Sequence, residues 1–247
     1  MKNWEYQPGY LKTIPIPIST KTYTPVSHSV FIDEIKEELD INNYTIKKEE
    51  YLCCNDGKIM TGKYTIDNEN SLFNPAIFFT NSYNKMRKAE LTSGLLVLLC
   101  SNGMIGLDGN KFSKKHSGTV LSELRNSIKL GIATMEEQFE RLVKNIEEMK
   151  AIILTDDVIC TFIGDMYMNE DMITDNQLSI FKKERKHSKD FKTNSLWDVY
   201  NNVTESYKNT HPMYFDKQHL KFHSYVSDRF SLTGSRKLFK KPQLLIT

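Results

Sequence analysis

The 247-residue chain reads as an α+β protein: a small, mostly antiparallel sheet with an N-terminal helix, followed by a long helix and a helical C-terminal region. Three observations predict this class. Between residues 44 and 107 short apolar runs alternate with turn signals, the strongest being Asn55-Asp56-Gly57, a type I′ hairpin signature. From Leu121 to Met149 apolar residues recur every three or four positions, the period of one helix face. Beyond Thr155, helix-opening residues return repeatedly, each ahead of an amphipathic stretch.

Taken in order, residues 1–24 read as an extended N-terminal arm, because the prolines of Ile14-Pro-Ile-Pro-Ile18 forbid a helix and remove ladder donors. A strand-rich core spans 25–116. It opens with a helix to about Asp40, capped by Ser27 or Ser29, with Val30, Phe31, Ile35 and Leu39 at helical spacing. A hairpin turning at Asn55-Asp56-Gly57 follows, then strands at Ala76 to Thr80, Leu95 to Cys100 and Met104 to Leu107. Asn81 to Ser93 reads as a short helix or a long excursion between strands.

The helical region spans 117–235, and a basic, then apolar tail occupies 236–247. The stripe from Leu121 to Met149 predicts a single helix of about 34 residues, roughly 50 Å long, which exceeds what a compact domain of this size needs. Three arrangements accommodate it: an antiparallel hairpin with residues 156–187, a coiled coil with a second copy, or a kink near Gly131. Shorter helices are expected from Thr155 to about Met168, Thr174 to about Lys186, after Asn194-Ser195, and from about Met213 to Phe230.

Composition narrows the function classes. With 39% hydrophobic and 26% charged residues the chain is globular rather than disordered. Its longest apolar run, Leu95 to Cys100, falls far short of the ~20 residues of a membrane span, so a cytoplasmic protein with no membrane partner is expected. Cys53, Cys54, Cys100 and Cys160 lack CxxC spacing and read as reduced, packed thiols. From Phe181 onward 14 Lys and Arg face 6 Asp and Glu, a net of +8 that against the whole-chain +2 leaves −6 on the first 180 residues. Such asymmetry points to a polyanion or to a solvated lysine-rich surface.

No GxxxxGK[ST] or GxGxxG occurs, and Gly103, Gly106 and Gly109 fall in turns. His219 and His223 share a helix face, but without the Glu of HExxH they read as a histidine pair rather than a metal site; Cys100 with His116 is the sole nucleophile–base pairing worth testing. No catalytic residue, metal or cofactor is therefore assigned. The better-supported chemistry is nucleic-acid binding. Lys85, Arg87 and Lys88 lie beside Tyr83, and Lys111, Lys114, Lys115 and His116 beside Phe112, interleaving cations with stacking platforms.

Several short strings also carry a resemblance: Pro25-Val-Ser-His28, Thr80-Asn-Ser-Tyr83, Cys100-Ser-Asn-Gly-Met104, Lys115-His116 and Ser195-Leu-Trp-Asp-Val-Tyr-Asn-Asn-Val-Thr-Glu205. In that order, over roughly residues 25 to 205, they make the chain resemble phage- and plasmid-borne proteins of unknown function. The resemblance implies a mobile-element protein of viral DNA metabolism, working in the host cytoplasm if phage-encoded. Where it leads one to expect His and Asp after Asn81-Ser82, this chain has Tyr83 and Asn84, which argues against acid–base chemistry there. The expectation is a non-enzymatic homo-oligomer that binds single-stranded DNA. The alternative is an interaction factor engaging or inhibiting a host protein through the heptad stripe and the Ile-Pro-Ile-Pro-Ile arm.

Overall fold

The computed structural model describes residues 8–68, 73–97, 103–105, 112–114, 120–211 and 214–234. Their architecture is α+β: one antiparallel sheet with helices on both faces. The sheet is built from β1 (Ile46–Cys54), β2 (Ile59–Ile66), β3 (Phe73–Ser82), β4 (Ala89–Val97), β5 (Gly103–Ile105) and β6 (Phe112–Lys114). Strands β1 to β4 form a meander in sequence order, and β5 and β6 both pair with the outer side of β4.

The first turn is the expected one. Asn55, Asp56 and Gly57 have φ of 52°, 55° and 78°, the left-handed region that a type I′ turn requires. Glycine at 57 also makes room for Ile14, whose Cδ1 would lie 2.2 Å from an added Cβ. The chain before the sheet is less uniform than an extended arm. Pro8–Thr13 forms a short helix, α1, that buries Leu11, while the Ile14 to Ile18 alternation that follows is neither helix nor strand. Ile16 and Ile18 face solvent.

Helix α2 (His28–Ile41) begins where its cap predicts: Ser27 Oγ accepts a hydrogen bond from the Val30 amide at 3.0 Å. It lays Phe31, Ile32, Ile35 and Leu39 on the sheet face formed by Tyr51, Tyr64, Ile77 and Phe79. Phe79 lies directly over Gly62, leaving no space there for a side chain. The opposite face shows Ala76 and Phe78, packed with Ile105 against Phe215 and Leu220 of α8 (Phe215–Phe230).

Three expectations change. Asn81 to Ser93 is neither a helix nor an excursion: β3 and β4 are one hairpin, and residues 83–88 are its loop. A further strand, β6, lies where only loop was expected. It pairs with the same side of β4 as β5, through Ala89↔Lys114, Glu90↔Ser113 and Leu91↔Phe112, but in a shifted register: β4 moves from Gly94 to Leu91 while the chain moves from Ile105 to Phe112.

The long helix is divided into α3 (Val120–Ala133) and α4 (Met135–Ala151). At the junction Thr134 leaves helical geometry (φ −101°, ψ 3°), and its Oγ1 donates back to the Leu130 carbonyl at 3.0 Å. Leu124, Ile128, Ile132 and Met135 serve the sheet core, whereas Leu142, Ile146 and Met149 serve a second core with α5 (Asp156–Met168), α6 (Asp175–His187), α7 (Leu196–Ser206) and α8. One continuous stripe feeds two cores, and the break at Thr134 divides it between them.

The C-terminal helices start where sequence places them. Thr155, Thr174 and Ser195 accept from the amides of Val158, Gln177 and Asp198, and Thr174 with Gln177 closes a capping box. Helix α7 is central, with Leu196 to Thr204 all buried. No helix among the described residues is long and apolar enough to cross a membrane.

Candidate nucleic-acid interface at the sheet end

Three loops meet where the sheet's hairpins turn: the β1–β2 turn, the β3–β4 loop, and the bend that brings Thr20 back to Tyr23. The Tyr83 amide donates to the Lys58 carbonyl at 2.7 Å, and Tyr23 Oη donates to the Tyr83 carbonyl at 3.0 Å. Beneath them lies His28, fully buried at the start of α2. Its ring stacks on Tyr83 with centroids 3.9 Å apart and planes 8° from parallel.

The partners of that ring define its tautomer. Asn81 Nδ2 donates to His28 Nδ1 at 3.1 Å, so Nε2 carries the proton and donates to the Gly57 carbonyl at 2.9 Å. Asn81 Nδ2 also donates to the Val26 carbonyl at 2.9 Å, and the His28 amide donates to Tyr83 Oη at 2.8 Å. Pro25 to His28 and Thr80 to Tyr83, two strings that are separate in sequence, therefore form one lock between α2 and β3. Burial raises the Tyr83 hydroxyl above its ordinary pKa, against the His28 amide bond that lowers it.

A buried ion triad stands beside the lock. Arg87 Nη2 donates to Glu90 Oε2 and to Asp216 Oδ2, the latter at 2.7 Å. Burial works against the guanidinium's charge, but Asp216 and Glu90 outweigh it and hold its pKa above the usual arginine value. The loop is also tied internally: Ser82 Oγ donates to Asn84 Oδ1 at 2.9 Å and accepts from the Arg87 amide at 3.3 Å. The triad anchors the start of α8 to the β3–β4 loop.

Of the nine residues expected to face nucleic acid, Tyr83 and Arg87 are thus used inside the protein as a stack and an ion-pair centre. Lys85 and Lys88 are exposed on the same loop, with Lys85 Nζ held 4.6 Å above the Tyr23 ring. Lys21 and Lys58 are exposed on the two adjoining loops. Lys111, Lys115 and His116 lie outside the described residues, as does Cys100, and for Phe112 and Lys114 only the backbone is described. That backbone is informative: the Ala89↔Lys114 pairing brings the second basic segment alongside the first.

Sequence reasoning missed Glu90 and Asp216, and it reached His28 and Asn81 only as members of the strings that carry the resemblance, with no role assigned. Glu90, an opposite charge three residues from Arg87, was the available signal; nothing in the sequence links Arg87 to Asp216, 129 positions away. His219 and His223 are core residues. Asn145 Nδ2 donates to His223 Nε2 at 3.2 Å, and burial lowers the His223 pKa to about 4. Among the described residues no group of His, Cys, Asp and Glu is arranged to hold a metal ion. Burial raises the Cys53 thiol to about 12, so it is not a nucleophile near neutral pH.

Among the described residues of the helical half, a cleft of about 490 Å³ lined by several polar side chains opens between α6 and α8, and an apolar groove of about 410 Å³ runs between α5 and α6, floored by Ile159, Ile163, Leu178 and Phe181.

Residues 20–239 match the model of a family described as a domain of unknown function, DUF932. No curated protein and no solved structure matches the chain.

Proposed function

The chain belongs to the DUF932 family of domains of unknown function, and from that footing we propose that it is a phage- or plasmid-type protein of DNA metabolism that binds single-stranded DNA without catalysis. What carries the reading is the β4–β6 register. It brings Lys114 beside Ala89, next to Lys88, so that two basic segments far apart in sequence share one sheet end. Lys21, Lys58 and Lys85 project from the loops at that end. Cations on loops held by a rigid buried lock are suited to tracking a phosphate backbone, which supplies affinity without reading sequence. In this reading the protein is a cytoplasmic homo-oligomer, a point that light-scattering mass with and without DNA tests.

Fluorescence anisotropy with a labelled single-stranded oligonucleotide at two salt concentrations is the direct test. Binding should weaken with salt, and Lys85→Glu with Lys88→Glu should cut affinity on the order of tenfold at low salt and flatten the salt slope by about 2. No binding at micromolar protein, or binding indifferent to salt, overturns the proposal.

A second reading, an interaction factor for a host protein, draws support from the exposed Ile16 and Ile18 and from the α5–α6 groove. The heptad stripe no longer contributes to it, because Leu124, Ile128, Ile132, Leu142 and Ile146 are buried within the chain. A host partner retained after nuclease treatment and lost on Ile16→Asp with Ile18→Asp favours this reading; retention by the double variant removes it.

A further inference from the structure

The α6–α8 cleft combines a rigid polar floor with an aromatic and cationic rim. We infer that it is a nucleoside-phosphate site in which Tyr214 stacks on the base and Lys217 and Lys221 contact the phosphate. Its volume, about 490 Å³, lies in the range of small-ligand pockets. Tyr214 lines it with 52% of its surface open, its ring centroid 6.0 Å from that of His211 and tilted by 51°, so a face remains for a flat ligand. Base–aromatic stacking needs such a face and tolerates any base.

Lys217 and Lys221 follow Tyr214 at steps of three and four residues, which places all three along one side of the first turns of α8. Lys217 forms no ion pair among the described residues. Lys221 donates to the Glu170 carbonyl and lies 3.7 Å from its carboxylate. Asp171, also on the rim, is an acceptor for an exocyclic amine or a sugar hydroxyl.

The floor is preorganised. Gln177 Nε2 donates to Thr210 Oγ1 at 3.1 Å, Thr210 Oγ1 donates to Gln218 Oε1 at 2.5 Å, and Gln218 Nε2 donates to the Met172 carbonyl at 3.1 Å. These bonds fix the side chains before any ligand arrives, which lowers the ordering cost of binding. The α6 terminus itself plays no part as an anion site, since Thr174 and Gln177 already cap it.

The cleft is also coupled to the sheet end. Asp216, between Tyr214 and Lys217, is the residue that Arg87 holds from the loop bearing Lys85 and Lys88. That one strand runs over both sites rests on the DNA-binding reading above; the cleft's own chemistry does not. The nucleotide has two sources, a free mononucleotide or one unit of a single strand.

Calorimetric titration of the full chain at low salt with dAMP, and separately with a short oligo-dA, distinguishes them. Tyr214→Ala and Lys217→Glu should each weaken binding on the order of tenfold, while Tyr214→Phe and Lys217→Arg retain it. Tyr214 and Lys217 are both exposed, so unfolding temperature should not move in any of the four variants and serves as the control. Loss of dAMP binding in the first two variants identifies a free-nucleotide site; loss of oligonucleotide binding alone identifies a strand subsite. Binding of both ligands unchanged by Tyr214→Ala and Lys217→Glu overturns the inference, as does a wild-type protein that binds neither. Lys85→Glu with Lys88→Glu tests the sheet-end reading separately: it should leave dAMP binding intact and weaken the oligonucleotide. If that variant is silent while the cleft variants act, the sheet-end reading fails and the cleft stands.

Discussion

His28 and His223 are equally buried, yet their surroundings differ. At the sheet end His28 has a partner at each ring nitrogen, at 2.9 and 3.1 Å, and a stacked tyrosine at 3.9 Å. In the helical half His223 sits among aromatic rings, with Asn145 at 3.2 Å and the Tyr200 hydroxyl at a long 3.5 Å. The first arrangement converts burial into a specific junction of three elements. The second leaves desolvation as the dominant effect, visible in the lowered pKa of about 4. Around these two residues the sheet end relies on polar specificity and the helical half on aromatic packing.

The sharpest test of that contrast is Arg87→Ala. It removes the cation between the buried Glu90 and Asp216 carboxylates and should destabilise by about 4 kcal/mol in urea titration. Replacing all three by Met, Leu and Leu should restore much of the loss, because the triad orients α8 more than it stabilises it. A triple variant as unstable as Arg87→Ala would remove this distinction.

In the helical half Phe222→Ala, which empties the space between Tyr200 and Tyr207, should cost about 3 to 4 kcal/mol, read as a lowered denaturant midpoint. A loss below about 1 kcal/mol would deny this half its dependence on aromatic packing.

The His223 effect depends on pH. Its folded pKa is depressed to about 4 from 6.5, so the unfolded chain binds the proton more readily. The contribution is complete above pH 6.5 and is lost as pH falls toward about 4. Between pH 7 and pH 5 wild type should lose about 2 kcal/mol through this residue, and His223→Gln should lack that component. Equal pH dependence in both proteins would contradict it. The smallest expected effect is Ser27→Ala, about 1 kcal/mol from one lost helix cap, with α2 otherwise intact by circular dichroism.

What sequence could reveal follows from how local each determinant is. The Asn55-Asp56-Gly57 turn and the caps at Ser27, Thr155, Thr174 and Ser195 depend on neighbours within a few residues, and each appears where local chemistry places it. The β3–β4 hairpin was obscured because both faces of its strands are covered: Asn81, Ser82, Glu90, Thr92 and Ser93 are buried, so apolar alternation disappears. The divided helix was foreseen only as one of three arrangements, a kink near Gly131, because its stripe is unbroken although it serves two cores; the break falls at Thr134. Arg87 reads as a surface cation because most arginines are. The lock of His28 with Asn81 and Tyr83 joins positions 53 and 55 apart, a pairing that no periodicity encodes.

The Arg87–Asp216 pair also has a meaning for the order of folding. Strands β1 to β4 join through successive neighbours and close short loops, which is the fast route. Arg87 and Asp216, 129 positions apart, close one of the long spans of the structure described here and can meet only after the helical half has taken shape. Such a late contact acts as a latch: it contributes little to the rate at which the chain folds and slows the rate at which the finished protein opens. Arg87→Ala should therefore leave refolding nearly unchanged and quicken unfolding, with α8 the first element to come away from the sheet.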